Sequence, residues 1–370
     1  MTDNPRFIMV GGFLGAGKTT TVSRLARRFQ AQGKRVVIVT NDQATDLVDT
    51  NILRSQGFDV GEVAGSCFCC NFNELTKTVE RLGSDQLPEV VLAEPVGSCT
   101  DLVATVIRPL KEIYEQPFEI APYGVIVKPS HGIKILKRVT QGGFSPQAEY
   151  IFRTQIEEAD FIVVNRIDEL DPADVRELSQ LLEAQFPGRP VVRMSAKSGE
   201  GFDAFCAYLD QRGDFGRRVM DVDYDVYAAG EAELGWLNSQ VTLQSEASFE
   251  LDEYLLNILR DLRDDLALIQ AETAHLKIIG LWEGYYGVAN MVSSFTEPVL
   301  SLPSACQTKA ANVVVNARVA VDPEVLAALV RRVVARGAER IRAVATINTL
   351  QSFRPGRPVP THRIKGVRSH

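Results

Sequence analysis

An apolar run, Phe7-Ile8-Met9-Val10, leads directly into Gly12-Phe13-Leu14-Gly15-Ala16-Gly17-Lys18-Thr19, and Val22, Leu25, Ala26 and Phe29 follow at helical spacing. A glycine-rich turn between a strand and an amphipathic helix constrains the fold more than any other feature of the chain. Glycines let backbone N–H groups converge on phosphate oxygens, a lysine at position 18 reaches the outer phosphates, and the Thr19 hydroxyl takes a place on Mg²⁺. The helix adds the positive end of its dipole. Gly12, Gly15, Ala16, Gly17, Lys18, Thr19 and Thr20 are therefore expected to bind a nucleotide.

Further β-branched runs at 35–40, 89–92, 123–127, 161–164 and 190–194 alternate with helix-like stretches, which predicts a parallel sheet covered by helices on both faces. The expected organisation is a nucleotide-binding α/β domain over 1–215, an acidic linker over 216–235 and a smaller α+β domain over 236–351. A basic, proline-bearing tail over 352–370 reads as a flexible end. In the smaller domain the element order β-α-β-β-β-α-β, give or take a strand, suits a ferredoxin-like antiparallel sheet with two helices on one face.

With 370 residues and a net charge of −7, the chain is expected to be globular and cytoplasmic. It carries no basic face for nucleic acid, no apolar run long enough to span a membrane and no disulfide framework. Three of its six cysteines are crowded at Cys67, Cys69 and Cys70. Three soft ligands in four positions can hold a tetrahedral Zn²⁺ or Co²⁺ with one site left open, and the alternative is three small residues packed beneath the sheet. Cys99 follows Gly97 near Glu94, Cys206 and Cys306 read as core or loop thiols, and His131 reads as a surface residue.

Two motifs narrow the nucleotide. Asn165-Arg166-Ile167-Asp168 resembles the Asn-Lys-x-Asp guanine motif with Arg in place of Lys, and an Asp168 carboxylate can accept from both N–H donors of guanine. Ser195-Ala196-Lys197 resembles the loop whose backbone meets the guanine oxygen. GTP is expected over ATP; a P-loop kinase or ligase for a small metabolite is the competing class, and a GTP-dependent regulatory switch with inert cysteines is another.

Together with Thr40-Asn41-Asp42, Glu94-Pro95-Val96-Gly97 and Cys67-Phe68-Cys69-Cys70, these features resemble the CobW, HypB, UreG and nitrile hydratase activator group of P-loop GTPases, and the CobW branch in particular. The resemblance implies a GTPase that supplies metal to, or activates, a client metalloenzyme or metal-cofactor protein, corrinoid chemistry included. It implies that Lys18 holds phosphates, that Thr19 and Asp42 hold Mg²⁺, and that Glu94 senses the γ-phosphate or orients the attacking water. A homodimer is a further expectation, whereas nucleic-acid and membrane partners are not expected. With histidine only at 131, 275, 362 and 370, the chain lacks a His-rich storage tract.

Overall fold

The computed structural model describes residues 4–41, 48–84, 86–114, 117–137, 145–291 and 296–365, which divide into two compact units. The first holds eight strands: β1 (Arg6–Gly12), β2 (Val36–Asn41), β3 (Asp59–Val63), β4 (Val90–Glu94), β5 (Glu119–Ile120), β6 (Gly124–Val127), β7 (Phe161–Val164) and β8 (Val191–Arg193). Their order is β3-β2-β4-β1-β6-β7-β8, with β5 beside β1, and every pairing is parallel. A parallel sheet needs both faces covered, which is why β1, β2, β4, β6 and β7 are buried along their whole length and read as continuous apolar runs. β1 lies between β4 and β6, so the crossovers reverse direction there; ligands of open α/β sheets bind at the carboxyl end of such a switch point. The helix Lys18–Ala31 leaves that end, burying Val22, Leu25, Ala26 and Phe29.

The second unit is an antiparallel sheet of β9 (Gly235–Glu250), β10 (Thr273–Trp282), β11 (Tyr285–Met291), β12 (Val299–Leu302), β13 (Gln307–Val319) and β14 (Ala343–Phe353), in the order β12-β11-β10-β13-β9-β14. Without the β11–β12 hairpin, the four remaining strands and the helices Leu251–Leu268 and Pro323–Arg340 form the ferredoxin-like arrangement. One sheet face, with Leu237, Leu243, Ile278, Val313 and Val315, packs on Leu255, Ile258, Leu262, Val330 and Val333 of the two helices. The other buries Ile279, Val288 and Val314 against Val48 of a helix, Val48–Ser55, that lies between β2 and β3 in sequence. Burial on both faces explains unbroken runs such as Val313-Val314-Val315 in an antiparallel sheet.

Several expectations change here. The stretch read as an irregular linker contains the helix Tyr224–Ala232, and the first unit runs on to Gly230. The tail read as flexible is β14 as far as Phe353, and residues 357–365 belong to the first unit. No described helix is long and apolar enough to cross a membrane.

Candidate nucleotide and metal site

Backbone geometry explains the glycines of the loop after β1. Gly12 (φ +136°) and Gly17 (φ +96°) adopt left-handed conformations, and a Cβ would fall 2.4 Å from the Ile126 carbonyl oxygen in the first case and 2.4 Å from Asn165 Nδ2 in the second. Lys18 Nζ donates to the Gly12 carbonyl at 3.0 Å, so its ammonium lies over the loop. Thr19 Oγ1 donates to Glu94 Oε1 at 2.9 Å, both residues being buried. That bond uses the hydroxyl proton and leaves the oxygen lone pairs, the orientation a cation ligand requires. Thr20 is exposed one position further on. Asp42, the other expected Mg²⁺ ligand, lies outside the described residues.

Asn165, expected to face the base, is a brace. Its Nδ2 donates to Ala16 O at 2.8 Å and its Oδ1 accepts from Ala196 N at 2.9 Å, which locks the phosphate loop to the Ser195–Lys197 loop. Ser195 is buried and accepts from Ser198 N; Lys197 is exposed. Arg166 takes a left-handed φ of +61° and pairs with Glu169, which leaves Asp168 exposed in the turn Ile167–Glu169. Sequence reasoning missed Arg24, whose guanidinium donates to the carbonyls of Ala196 and Lys197 at 2.8 Å each. No local signal marks it, because both partners are more than 170 positions away.

The thiols converge. Cys70 N and Asn71 N both donate to Cys67 O at 3.0 Å, a tight turn that brings Cys67 Sγ within 2.9 Å of Cys69 Sγ and 3.2 Å of Cys70 Sγ, with 3.6 Å between the last two. Sulfurs around one tetrahedral Zn²⁺ at about 2.3 Å stand about 3.8 Å apart, so a small outward movement of each side chain fits this donor set to an ion. The loop is fixed by Asn41 at the end of β2: its Nδ2 donates to Val63 O and Ser66 O at 2.9 and 2.8 Å, and its Oδ1 accepts from Phe68 N at 2.8 Å. Hydrogen bonds shared with Cys69, Cys70 and Cys99 hold the Cys67 thiol well below the ordinary thiol range. The hydrogen bond with Cys67, aided by burial, pushes Cys70 up to about 12, and hydrogen bonds with Cys67 and Cys70, again with burial, raise Cys69. One thiolate is thus favoured at the centre of the cluster. Cys99 therefore touches Cys67, although only Cys67, Cys69 and Cys70 group as a mutual set of metal donors among the described residues.

Two further differences from the sequence reading concern charged groups. His131 is buried in the helix Pro129–Leu136, edge-on to Phe13 at 5.9 Å between ring centroids, and burial holds its imidazole well below the usual range. Arg363, read as part of a solvated basic end, donates through Nε to Asp101 Oδ2 at 2.6 Å; Asp101 is 1% exposed and also accepts from Tyr224 OH at 2.7 Å.

Comparison with known proteins joins these parts. Zinc chaperone CobW of Sinorhizobium sp is 25% identical over 220 residues, 52% of this chain and 59% of its own. Zinc chaperone YeiR of Escherichia coli (strain K12) is 27% identical over 178 residues, 46% of this chain and 49% of its own. The chain thus spans about half to three-fifths of the length of these curated relatives. The solved hydrogenase maturation factor HypB from Archaeoglobus fulgidus superposes with a TM-score of 0.39 at 18% identity, covering 55% of this chain and 88% of that one. The family profile described as the CobW/HypB/UreG nucleotide-binding domain matches residues 6–193, a span that takes in the phosphate loop, the cysteine turn, Glu94 and Asn165–Asp168, and the chain belongs to that family.

Proposed function

We propose that this protein is a GTP-hydrolysing metallochaperone whose cargo ion is bound by Cys67, Cys69 and Cys70. One observation carries the reading: the thiol turn is pinned by Asn41, the residue next to Asp42, so the segment expected to follow the γ-phosphate and the segment carrying the thiols share a single side chain. In this reading the loop amides and Lys18 hold the phosphates, Thr19 and Asp42 hold Mg²⁺, and Glu94, already oriented by Thr19, senses the γ-phosphate or positions water. Asp168 selects guanine, with Asn165, Ser195, Ala196 and Lys197 shaping the base pocket. Zn²⁺ or Co²⁺ is the cargo, delivered to a client metalloenzyme or cofactor protein. The names of CobW and YeiR support zinc as the first ion to test. A homodimer is part of the proposal.

A linked titration tests it. Zn²⁺ and Co²⁺ are titrated against a chromophoric chelator with GTP–Mg²⁺, with GDP–Mg²⁺ and without nucleotide. Coupling free energy is reciprocal, so metal and GTP should change each other's affinity by one common factor, and replacement of the three cysteines by serine should abolish it. Lys18→Ala should abolish hydrolysis, and Asp168→Asn should erode a preference for GTP over ATP. Metal binding that is absent, or identical in all nucleotide states, overturns the chaperone reading and leaves a nucleotide switch with structural cysteines.

A further inference from the structure

Beyond β14, Pro355, Pro358 and Pro360 hold the backbone extended, and the chain lies along the cysteine turn of the first unit. Val359 N donates to Cys70 Sγ at 3.2 Å. Thr361 N donates to Cys69 O at 2.8 Å and Thr361 Oγ1 to Cys70 O at 2.9 Å. The His362 ring meets Phe72, the first residue of the helix after the turn, edge-on at 5.3 Å. Arg363 then bonds Asp101 and, at 2.7 Å, Met220 O, while Ile364 N donates to Ala104 O at 2.9 Å.

We propose that residues 357–365 are a detachable strap of the metal site, which sets the ligating geometry of Cys69 and Cys70 and is latched by Arg363 on Asp101. The proposal rests on the reading of the three cysteines as metal ligands. A thiolate sulfur has lone pairs for both an ion and an N–H donor, so the Val359 bond persists when Cys70 ligates and draws charge from the sulfur, as outer-shell partners of metal ligands do. The two Thr361 bonds fix the carbonyls of consecutive cysteines and hence the direction in which their side chains leave the chain.

The latch is built to open. Val359, 69% exposed, and Thr361, also exposed, meet the turn through directional bonds, while Pro358 is the one buried residue of the strap. Asp101 has a left-handed φ of +63°, a strained conformation for a residue other than glycine, and it precedes a π-helical turn, Val103–Ile107, a feature frequent at functional sites. Both lie in the stretch that begins at Glu94. A rearrangement that starts at Glu94 and relaxes Asp101 withdraws the carboxylate from Arg363 and frees the strap, which exposes the ion to a recipient's ligands. Arg363, Thr361 and the Val359 amide are thus positioning groups for metal retention.

Full-length protein is loaded with Co²⁺, the sulfur-to-cobalt charge-transfer band is recorded, and its decay in excess EDTA is followed. Removal of outer-shell partners typically weakens metal binding roughly 10-fold to 100-fold, and Arg363→Ala should speed the decay by a factor in that range. Arg363→Lys should fall between Arg363→Ala and the parent. Val359→Pro removes the N–H donor at an exposed position that already lies between two prolines; it should shift the band to lower energy and speed decay with the latch intact, which guards against misfolding of the arginine variants. A parental band that the cysteine-to-serine variants abolish, together with decay of both strap variants within about twofold of the parent and an unmoved band, overturns the strap and leaves the metal reading intact. Absence of the parental band overturns the metal reading and the strap with it.

Discussion

Two segments of this chain belong to the unit that their sequence neighbours do not. The helix Val48–Ser55 lies between β2 and β3 of the first unit yet belongs to the second, and residues 357–365 follow β14 of the second yet belong to the first. The balance of apolar and polar anchoring differs between them. The helix is anchored by Val48, buried with Ile279, Val288 and Val314, by Val48 N donating to Asn316 Oδ1 at 2.9 Å, and by the Asp49–Lys277 pair. The strap is anchored by main-chain N–H groups, one hydroxyl and two guanidinium groups, Arg363 on Asp101 and Arg357 on Asp225. Apolar burial is non-directional and contributes about 1.5–3 kcal/mol for a valine, which makes a permanent joint. Hydrogen bonds are lost one at a time when an acceptor turns away, which makes a removable one.

That contrast is broken most easily from the apolar side. Val48→Asp places an unpaired carboxylate in the apolar cluster and should cost about 3 kcal/mol or more. Calorimetry with resolved transitions should show the loss in the second unit's transition, and a shift confined to the first unit's would mean that the helix is not part of the second's cooperative structure. Arg363→Ala is the mirror experiment. It leaves the buried Asp101 carboxylate without its cationic partner and should cost about 2 kcal/mol, this time from the first unit; equal losses in both transitions would erase the distinction between the two segments.

The smallest effect concerns what the strap rests on. Glu158 is completely buried and accepts from Val103 N at 3.0 Å, beside the Asp101 and Ala104 acceptors of the strap. Burial holds its carboxyl well above the usual range, so folding takes up a proton between the ordinary carboxylate value and the raised one. Stability should therefore fall as pH rises through that interval. Glu158→Gln mimics the protonated form and should flatten the decline, giving a gain of about 1 kcal/mol on its alkaline side. Parallel denaturation profiles of parent and variant from pH 4 to pH 8 would count against this.

The sheet around β1 is legible in the sequence because its strands, buried on both faces, carry unbroken apolar runs such as Phe7–Val10, Val36–Val39 and Phe161–Val164. β3 is not, since Asp59, Gly61 and Glu62 interrupt its five residues; as the edge strand it buries only Val60, Gly61 and Val63 and leaves Asp59 exposed. The glycine turn after β1 is legible because backbone geometry at Gly12 and Gly17 fixes its spacing. Asn165 is legible as a motif but not as a brace, and Arg24 not at all, since both act on loops far away in sequence. The tail misleads in a specific way. Prolines and basic residues are the composition of loose ends, yet a proline also fixes φ, and Arg363 is solvated only until Asp101, 262 positions earlier, comes alongside. Residue types announce the chemistry; partners at that separation have no local signature.

The strap also sets an order of events. Val359 and Cys70 are 289 positions apart, so at elongation rates of roughly 5–20 residues per second the cysteine turn leaves the ribosome roughly 15–60 seconds before the amide that covers it exists. During that interval the first unit can present its thiols uncovered, and an ion can enter and leave with no latch to cross. If the thiols take up an ion as proposed, the finished chain closes over what the nascent chain has captured, and the moment of synthesis is when the turn is most open.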